Sequence, residues 1–444
     1  MLSPDGRNRL YLCRPIHARY GFQRRHTEYG HIEMTSRLSP AIKTIMIRAL
    51  ELRRFDDNVF RISIILLTLG SFVLSIVRIL REPDRFQWDL RVYYNSPLLL
   101  AQGQDPYEVH GIIDGFRFSP LHLQIFRVFP SLFTYDQFYW IFLFAKIVSF
   151  TVLLAIWKKF FLRETQLHVF AIFVWLGFYS TILIDLQAGN VSIFESTLLF
   201  LGFLCFLKQR LYLFVFFIVL AASFKITPIF FLILVLLAPN RYSLRCFVLG
   251  CVVFSAFALL NPVFFLDLTK QFIWWAPKTT NETGHLNPSS LAFIRDMLTS
   301  SLGHFRLAPN SILVIVIYLA VAIWIFCVSW RSWRLVKVID EGNNYDLLVL
   351  ILFSILVYTL TMPRMKDYTY NIAIPSVLFA IERFKLSVPR WISFLPLVII
   401  SYYTIPPLFR IFLDYYPLFV ASFFWYLYSC ELEKRSALGG AAKA

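Results

Sequence analysis

The run LYLFVFFIVLAASFKITPIFFLILVLLA, residues 211–238, decides how this chain is read. Lys225 is its only charged residue. The apolar stretches on either side, 211–223 and 226–238, are each too short to cross a hydrocarbon layer about 30 Å thick at about 1.5 Å per residue. A lysine between two such stretches is costly in a membrane unless it is paired or lines a cavity. The run therefore predicts a hairpin of short helices whose tip, Lys225 and Thr227, lies below one membrane surface.

The rest of the chain agrees with a membrane setting. Of its 444 residues 58% are hydrophobic, with 47 Phe and 11 Trp, and the mean hydropathy is +0.62. A net charge of +16 must then sit mainly in loops and tails, where lysine and arginine mark the cytoplasmic side. Further spans are expected at 60–80, 138–157, 169–184, 191–207, 247–266, 311–330, 347–362, 368–381, 391–409 and 416–428. With the two halves of the hairpin this makes about twelve, both termini cytoplasmic, and every cytoplasmic turn carries Lys or Arg. The expected organisation is a basic cytoplasmic arm over 1–59, one all-α polytopic membrane domain over 60–430, and a cytoplasmic tail over 431–444.

The arm holds Arg7, Arg9, Arg14, Arg19, Arg24, Arg25, Arg48, Arg53 and Arg54. It lacks interleaved aromatic platforms and precedes a span, so it is expected to face anionic membrane lipid and not nucleic acid. No cleavable signal pattern is read before residue 60, and Met34 or Met46 is an alternative start. The cysteines lack metal-ligand spacing, so neither a disulfide framework nor a structural zinc is expected.

The polar clusters of this apolar chain, 89–107, 117–120, 187–190, 225–228, 287–295 and 363–368, all fall on one side in the topology count. That one-sidedness predicts a site facing outward. Within the first outer loop, Ser96-Pro97 and Ser119-Pro120 read as helix starts with proline at the first helical position, and Gly103 as a stop. Two interfacial helices are expected there, presenting Leu98, Leu99, Leu121, Ile125, Phe126 and Phe129 to lipid, with the second ending before Pro130.

The order of motifs carries more. Asp89-Leu-Arg-Val-Tyr-Tyr-Asn-Ser followed by Gly103-Gln-Asp-Pro-Tyr107 resembles the polyprenol-phosphate-sugar-dependent glycosyltransferases of family 87. Phe116–Pro120, Lys225-Ile-Thr-Pro228 and Pro363-Arg-Met-Lys-Asp-Tyr368 are similar to further segments of that family. Gly189-Asn190 stands where many members carry Gly-Gln, Asn287-Pro-Ser289 where Asn-Gln-Ser is frequent, and Tyr368 and Tyr370 where the mycobacterial mannosyltransferase branch has histidines. The resemblance implies a GT-C-like bundle, a polyprenyl-phosphate sugar as donor, a lipid or glycan acceptor, and inversion at the anomeric carbon.

The chemistry can be read from residue types as well. Nucleotide sugars are confined to the cytoplasm, so an outward-facing transferase needs a sugar carried on lipid. A departing phosphate needs fixed cations more than a proton donor; Arg117, Lys225, Arg364 and Lys366 are the candidates. The acceptor alcohol must lose a proton, and Asp89 is the expected base. Tyr93, Tyr94, Asp105, Tyr107, Gln187, Asn190, Asn287 and Arg295 are the candidate sugar and acceptor contacts.

Several of these have a plainer structural reading. Asp105 is more often a turn residue before Pro106 than a second acid, while Gln187 and Asn190 equally satisfy helix ends. Asp367 is expected to be pinned by Arg364 or Lys366, while Asp185, His122, His285 and Glu195 receive no role. No Asp-x-Asp stands in an outer loop, so the sequence requires no metal and no cofactor. A flippase or transporter of lipid-linked glycan, or a sugar-chain ligase or polymerase, is the alternative. Against transport, the polar residues do not continue toward the cytoplasmic side and no inverted repeat is visible.

Overall fold

The computed structural model describes residues 40–82, 86–108, 115–237, 242–275, 282, 284–303, 311–337, 344–384 and 413–441. The expected span at 391–409 and the arginines of residues 1–39 lie outside them. The chain divides into two units, Met1–Ser63 and Ile64–Ala444. Of the first, the described part is helical. The second holds the site and, apart from residues 40–63 of the first helix, every element that follows.

All regular structure among the described residues is helical. In chain order the helices are α1 (Pro40–Arg81), α2 (Trp88–Ala101), α3 (Pro120–Leu132), α4 (Tyr135–Ile156, continued by a π turn Trp157–Phe161), α5 (Leu167–Ala188) and α6 (Ser192–Leu207). Next come α7 (Leu211–Phe224), a 3-10 turn Thr227–Leu232 with α8 (Ile233–Leu237), α9 (Ser243–Phe264) and α10 (Leu266–Trp275). The chain continues with α11 (Ser290–Gly303), α12 (Ser311–Lys337), α13 (Asn344–Thr361), a 3-10 turn Asp367–Ala373, α14 (Ile374–Arg383) and α15 (Tyr416–Ala441).

Among the described residues, four stretches are long and apolar enough to cross a membrane: Asn58–Arg81, Tyr135–Phe161, Ser243–Phe264 and Ser311–Arg334. Their outer faces carry Leu67, Leu74, Val263 and Ile312, all about 70% exposed, which is where hydrocarbon replaces water as the surrounding medium. Ser192–Leu207, Leu211–Phe224, Thr227–Leu237 and Tyr345–Thr361 are apolar but shorter. Helix α13 is apolar all round because it is central: Val349 to Val357 are buried on every face.

Local sequence explains the ends that matter. Thr134 and Gln137 close a reciprocal capping box at the start of α4. Gly189 ends α5 at φ +72, a left-handed cap that glycine adopts without strain. A Cβ there would also sit 2.6 Å from Gln87 Oε1. Helix α6 packs along α7, α4 lies against α6, and α2 against α3. The 3-10 turn Asp367–Ala373 packs on α5, held by the Thr181 hydroxyl on the Asp367 carbonyl at 2.7 Å and Ser196 on Asn371 at 2.8 Å.

Four expectations are corrected. Pro97 does not start a helix; it lies inside α2, which begins at Trp88. Pro130 lies inside α3, which runs on to Leu132. Phe126 is buried, stacked on Tyr93, and does not face outward. The loop expected between the spans at 247–266 and 311–330 contains α10 and α11. In addition, α15 continues through residue 431 to Ala441, so the expected start of the tail falls within a helix.

Candidate active site

Asp89 enters the site on the first turn of α2. The residue before that helix, Gln87, is fully buried and left-handed, φ 61, a backbone state that costs a non-glycine residue about 1–3 kcal/mol and collects at functional sites. Its N–H donates to the Gln187 carbonyl at 2.6 Å and its side-chain amide to the Leu186 carbonyl at 2.6 Å. Two of the carbonyls that α5 leaves open at its C-terminus are satisfied in this way. The start of α2 is thereby clasped to the end of α5, and Asp89 is brought to Asn190.

Asn190 is the hub. Its Nδ2 donates to Asp89 Oδ2 at 2.8 Å and lies 3.2 Å from Tyr93 Oη and 3.1 Å from Tyr368 Oη. Its Oδ1 accepts from the Ser192 N–H at 3.0 Å and the Ser192 hydroxyl at 2.7 Å. These two donors fix which way the amide points. Lys225, where α7 breaks, donates to Ser192 Oγ at 2.6 Å, pairs with Glu195 at 2.9 Å and sits 5.7 Å above the Tyr368 ring.

Behind this layer is a second charge pair. Lys146 of α4 and Asp185 of α5 are both completely buried and 3.1 Å apart. Lys146 also donates to the Asp185 carbonyl, the group that receives the capping N–H of Gly189. The pair thus fastens the turn that carries Asn190.

The late segment supplies two more cations. Arg364 and Lys366 grip opposite oxygens of Glu282 at 3.0 and 2.7 Å. The Arg364 Nε is buried and has no hydrogen-bond partner among the described residues. Asn287 Oδ1 accepts the Met365 N–H at 2.9 Å, between the two cations, and Ser289 donates to the Pro363 carbonyl at 2.8 Å. Arg295 donates to the Glu282 carbonyl at 2.7 Å.

Asp89, Tyr93, Arg117, Asn190, Lys225, Glu282, Arg364, Lys366 and Tyr368 all line one cavity of about 260 Å³, with Thr227 and Tyr358 completing its polar wall. The remaining sequence candidates lie elsewhere. Tyr94 donates to the Phe133 carbonyl at 2.9 Å, and Tyr107 is buried against Phe116 and Phe272. Asp105 accepts the Tyr107 N–H at 2.9 Å and the Trp275 indole N–H at 3.1 Å, so its position is that of a turn residue. Gln187 meets the site only through its backbone carbonyl, which receives Gln87. Asn287 and Arg295 reach the cavity through Met365 and Glu282 and do not line it.

Electrostatics follow from burial. Desolvation pushes the Asp89 carboxyl above the ordinary carboxylate range, opposed by the Asn190 N–H and by Lys366, Lys146 and Lys225. Burial pushes the Glu282 carboxyl up as well, but Arg364 and Lys366 outweigh it and hold the group below its usual value. His122, bonded to Ser119 at 2.9 Å, is lowered by burial to about 4 and is neutral near pH 7.

Sequence reasoning missed Gln87, Lys146, Ser192, the partnership of Glu195 with Lys225, and Glu282. Asp367, expected to be pinned by Arg364 or Lys366, instead accepts the N–H of Tyr368 at 2.8 Å, because both cations are turned to Glu282. Lys146 did carry a signal. It is the only charge between Asp136 and Lys158 in an apolar helix, the same signal that singled out Lys225.

The family model described as glycosyltransferase family 87 matches residues 116–363, more than half the chain. The chain belongs to glycosyltransferase family 87. It is therefore a glycosyltransferase, and its apolar helices make it a membrane protein. No curated protein and no solved structure matches it. The family 87 match contains Arg117, Asn190 and Lys225. Asp89 precedes it and Arg364 and Lys366 follow it, so the cavity joins the matched segment to residues on both sides.

Proposed function

We propose that this family 87 enzyme transfers a sugar, a hexose such as mannose or a pentose, from a polyprenyl-phosphate donor to a hydroxyl of a lipid or glycan acceptor. The transfer takes place on the outer face of the cytoplasmic membrane and inverts the anomeric configuration. One observation carries the reading: a half-buried acid and four cations from distant parts of the chain line a single cavity.

The acceptor oxygen attacks the anomeric carbon on the face opposite the phosphate. Its proton passes to the Asp89 carboxylate, and the bond between that carbon and the phosphate oxygen breaks with its electron pair going to the phosphate. Charge then grows on the leaving group, where Arg117, Lys225, Arg364 and Lys366 stabilise it without donating a proton. The Arg364 Nε, without a partner among the described residues, is a donor suited to a phosphate oxygen. Tyr93, Asn190 and Tyr368 stand where sugar hydroxyls would bind.

A lipid carrier also has room. A second cavity of about 340 Å³ between α7 and α9, lined by Val215, Phe216, Val219, Leu249, Val253 and Phe257, shares Ser223 with the polar one. An isoprenoid tail placed there would leave its phosphate beside Lys225. In this reading 1–59 is a cytoplasmic arm, 60–430 is a GT-C-like bundle of about twelve spans including the short hairpin halves, 431–444 is a cytoplasmic tail, and α2 and α3 lie in the outer interface.

The test is reconstitution in liposomes with a panel of polyprenyl-phosphate sugars and, as a second arm, nucleotide sugars. Transfer from at least one lipid-linked donor and from no nucleotide sugar is expected. Transfer from the nucleotide sugars alone would overturn the donor assignment.

A further inference from the structure

Two side chains, Ser192 and Asn190, link the lysine of the broken hairpin to the acid in one direction. Lys225 has no acceptor atom, so the Lys225–Ser192 contact of 2.6 Å has the ammonium as donor. Ser192 must then point its own proton elsewhere, and Asn190 Oδ1 lies 2.7 Å away. An amide whose oxygen is engaged in this way has only its NH2 left for Asp89, at 2.8 Å. Each donor in the series faces toward the carboxylate. Glu195, three residues along α6 from Ser192, holds the same ammonium at 2.9 Å and stops it from turning away. Ser192 is completely buried and Glu195 nearly so, and neither lines the cavity.

We propose that Ser192 and Glu195 are positioning residues that couple the Lys225 ammonium to the Asp89 carboxylate through Asn190. They touch no substrate. Ser192 orients the amide that presents N–H to Asp89, and Glu195 holds the ammonium that orients Ser192. Seating a donor phosphate near Lys225 and setting the acceptor's base in place are thereby linked. The inference rests on the reading of Asp89 as base.

The test measures transfer in proteoliposomes across pH for the wild-type enzyme, Asp89→Asn, Ser192→Ala, Ser192→Thr, Glu195→Gln and the Ser192→Ala/Glu195→Gln double variant. The groups facing Asp89 that bear on its titration are Tyr93 on its own helix, Lys225 on the hairpin, Lys366 and Tyr368 in the late turn, and the Lys146–Asp185 pair of α4 and α5. Ser192→Ala and Ser192→Thr leave the charges of these groups unchanged, whereas Glu195→Gln leaves the Lys225 ammonium unpaired.

Ser192→Ala is expected to lower kcat about 10- to 100-fold through misdirection of the base, with the donor KM within about twofold. Its acid limb should move to higher pH, because the amide that presents N–H to the Asp89 carboxylate loses one of the two donors that aim it. Ser192→Thr keeps the hydroxyl and should restore both. Glu195→Gln should lower kcat in the same way, while the ammonium it unpairs draws the Asp89 limb toward lower pH, and the double variant should lose no more than the worse single one, since both act on one chain.

Additive losses, or an unmoved acid limb in Ser192→Ala, overturn the inference. Should Ser192→Ala not fold, Glu195→Gln decides, and a wild-type kcat in that variant overturns the inference. Absent transfer by wild type from any lipid-linked donor, or full activity in Asp89→Asn, would instead overturn the functional reading beneath it.

Discussion

Replacing Lys146 by methionine removes one half of a completely buried ion pair. At 3.1 Å the gross attraction is about 5 kcal/mol at an effective dielectric near 20, most of it offset by the cost of taking both charges out of water. The single variant keeps that cost without the offset. Asp185 is left buried, and neither of its carboxylate oxygens has a hydrogen-bond partner among the described residues. Removing one partner of such a pair costs about 3–5 kcal/mol. Because Lys146 also ties the Asp185 carbonyl at the Gly189 cap, the turn carrying Asn190 should loosen and activity should fall with stability. Reversible unfolding in mixed micelles, followed beside transfer activity, measures both. Lys146→Met paired with Asp185→Leu should regain most of the stability, since an apolar pair of similar volume removes the stranded charge. A single variant as stable as wild type would refute the account of these groups as a charged pair.

Three further outcomes follow from the same geometry. Gly189→Ala should cost about 1–3 kcal/mol in the same unfolding measurement, because it combines a left-handed backbone with a Cβ that meets Gln87 Oε1 at 2.6 Å. Arg364→Gln and Lys366→Gln should each raise the donor KM, and the double variant should show the larger rise in steady-state kinetics. As pH falls through the raised value of Asp89, the carboxylate takes up a proton and the base is lost. The pH–rate profile should therefore fall on its acid side with an inflection above the usual carboxylate value of about 3.9.

Much of this arrangement is legible in residue order, because membranes make charge conspicuous. Lys225 in an apolar run, Gly189 after a span and Arg364-Met-Lys366 after another each announce a break in a helix or a functional turn. What the sequence hides is partnership. Glu195 reads as a stray acid until α7 brings Lys225 beside it, and Asp185 and Lys146 lie 39 residues apart in the chain, on helices that only packing brings together. Glu282 stands in a polar loop where nothing local ties it to residues 364 and 366.

Proline was misleading for a physical reason. Its preference for a first helical turn made Ser96-Pro97 look like a start, yet a helix already under way accepts proline where the lost N–H and the crowding at the carbonyl four residues earlier are tolerated. Packing of α2 on α3 prevailed over that local preference. Phe126 likewise has the apolar character of a lipid-facing residue but stacks on Tyr93 beneath the cavity wall.

The central claim is that Asp89 takes the acceptor's proton in a cavity whose cations hold the departing phosphate. Asp89→Asn keeps the size of the side chain and removes only the base, so kcat for transfer from a polyprenyl-phosphate sugar in proteoliposomes measures that claim most directly. The account predicts a loss of about 100- to 10,000-fold with the donor still bound. A variant that transfers sugar at the wild-type rate would contradict it.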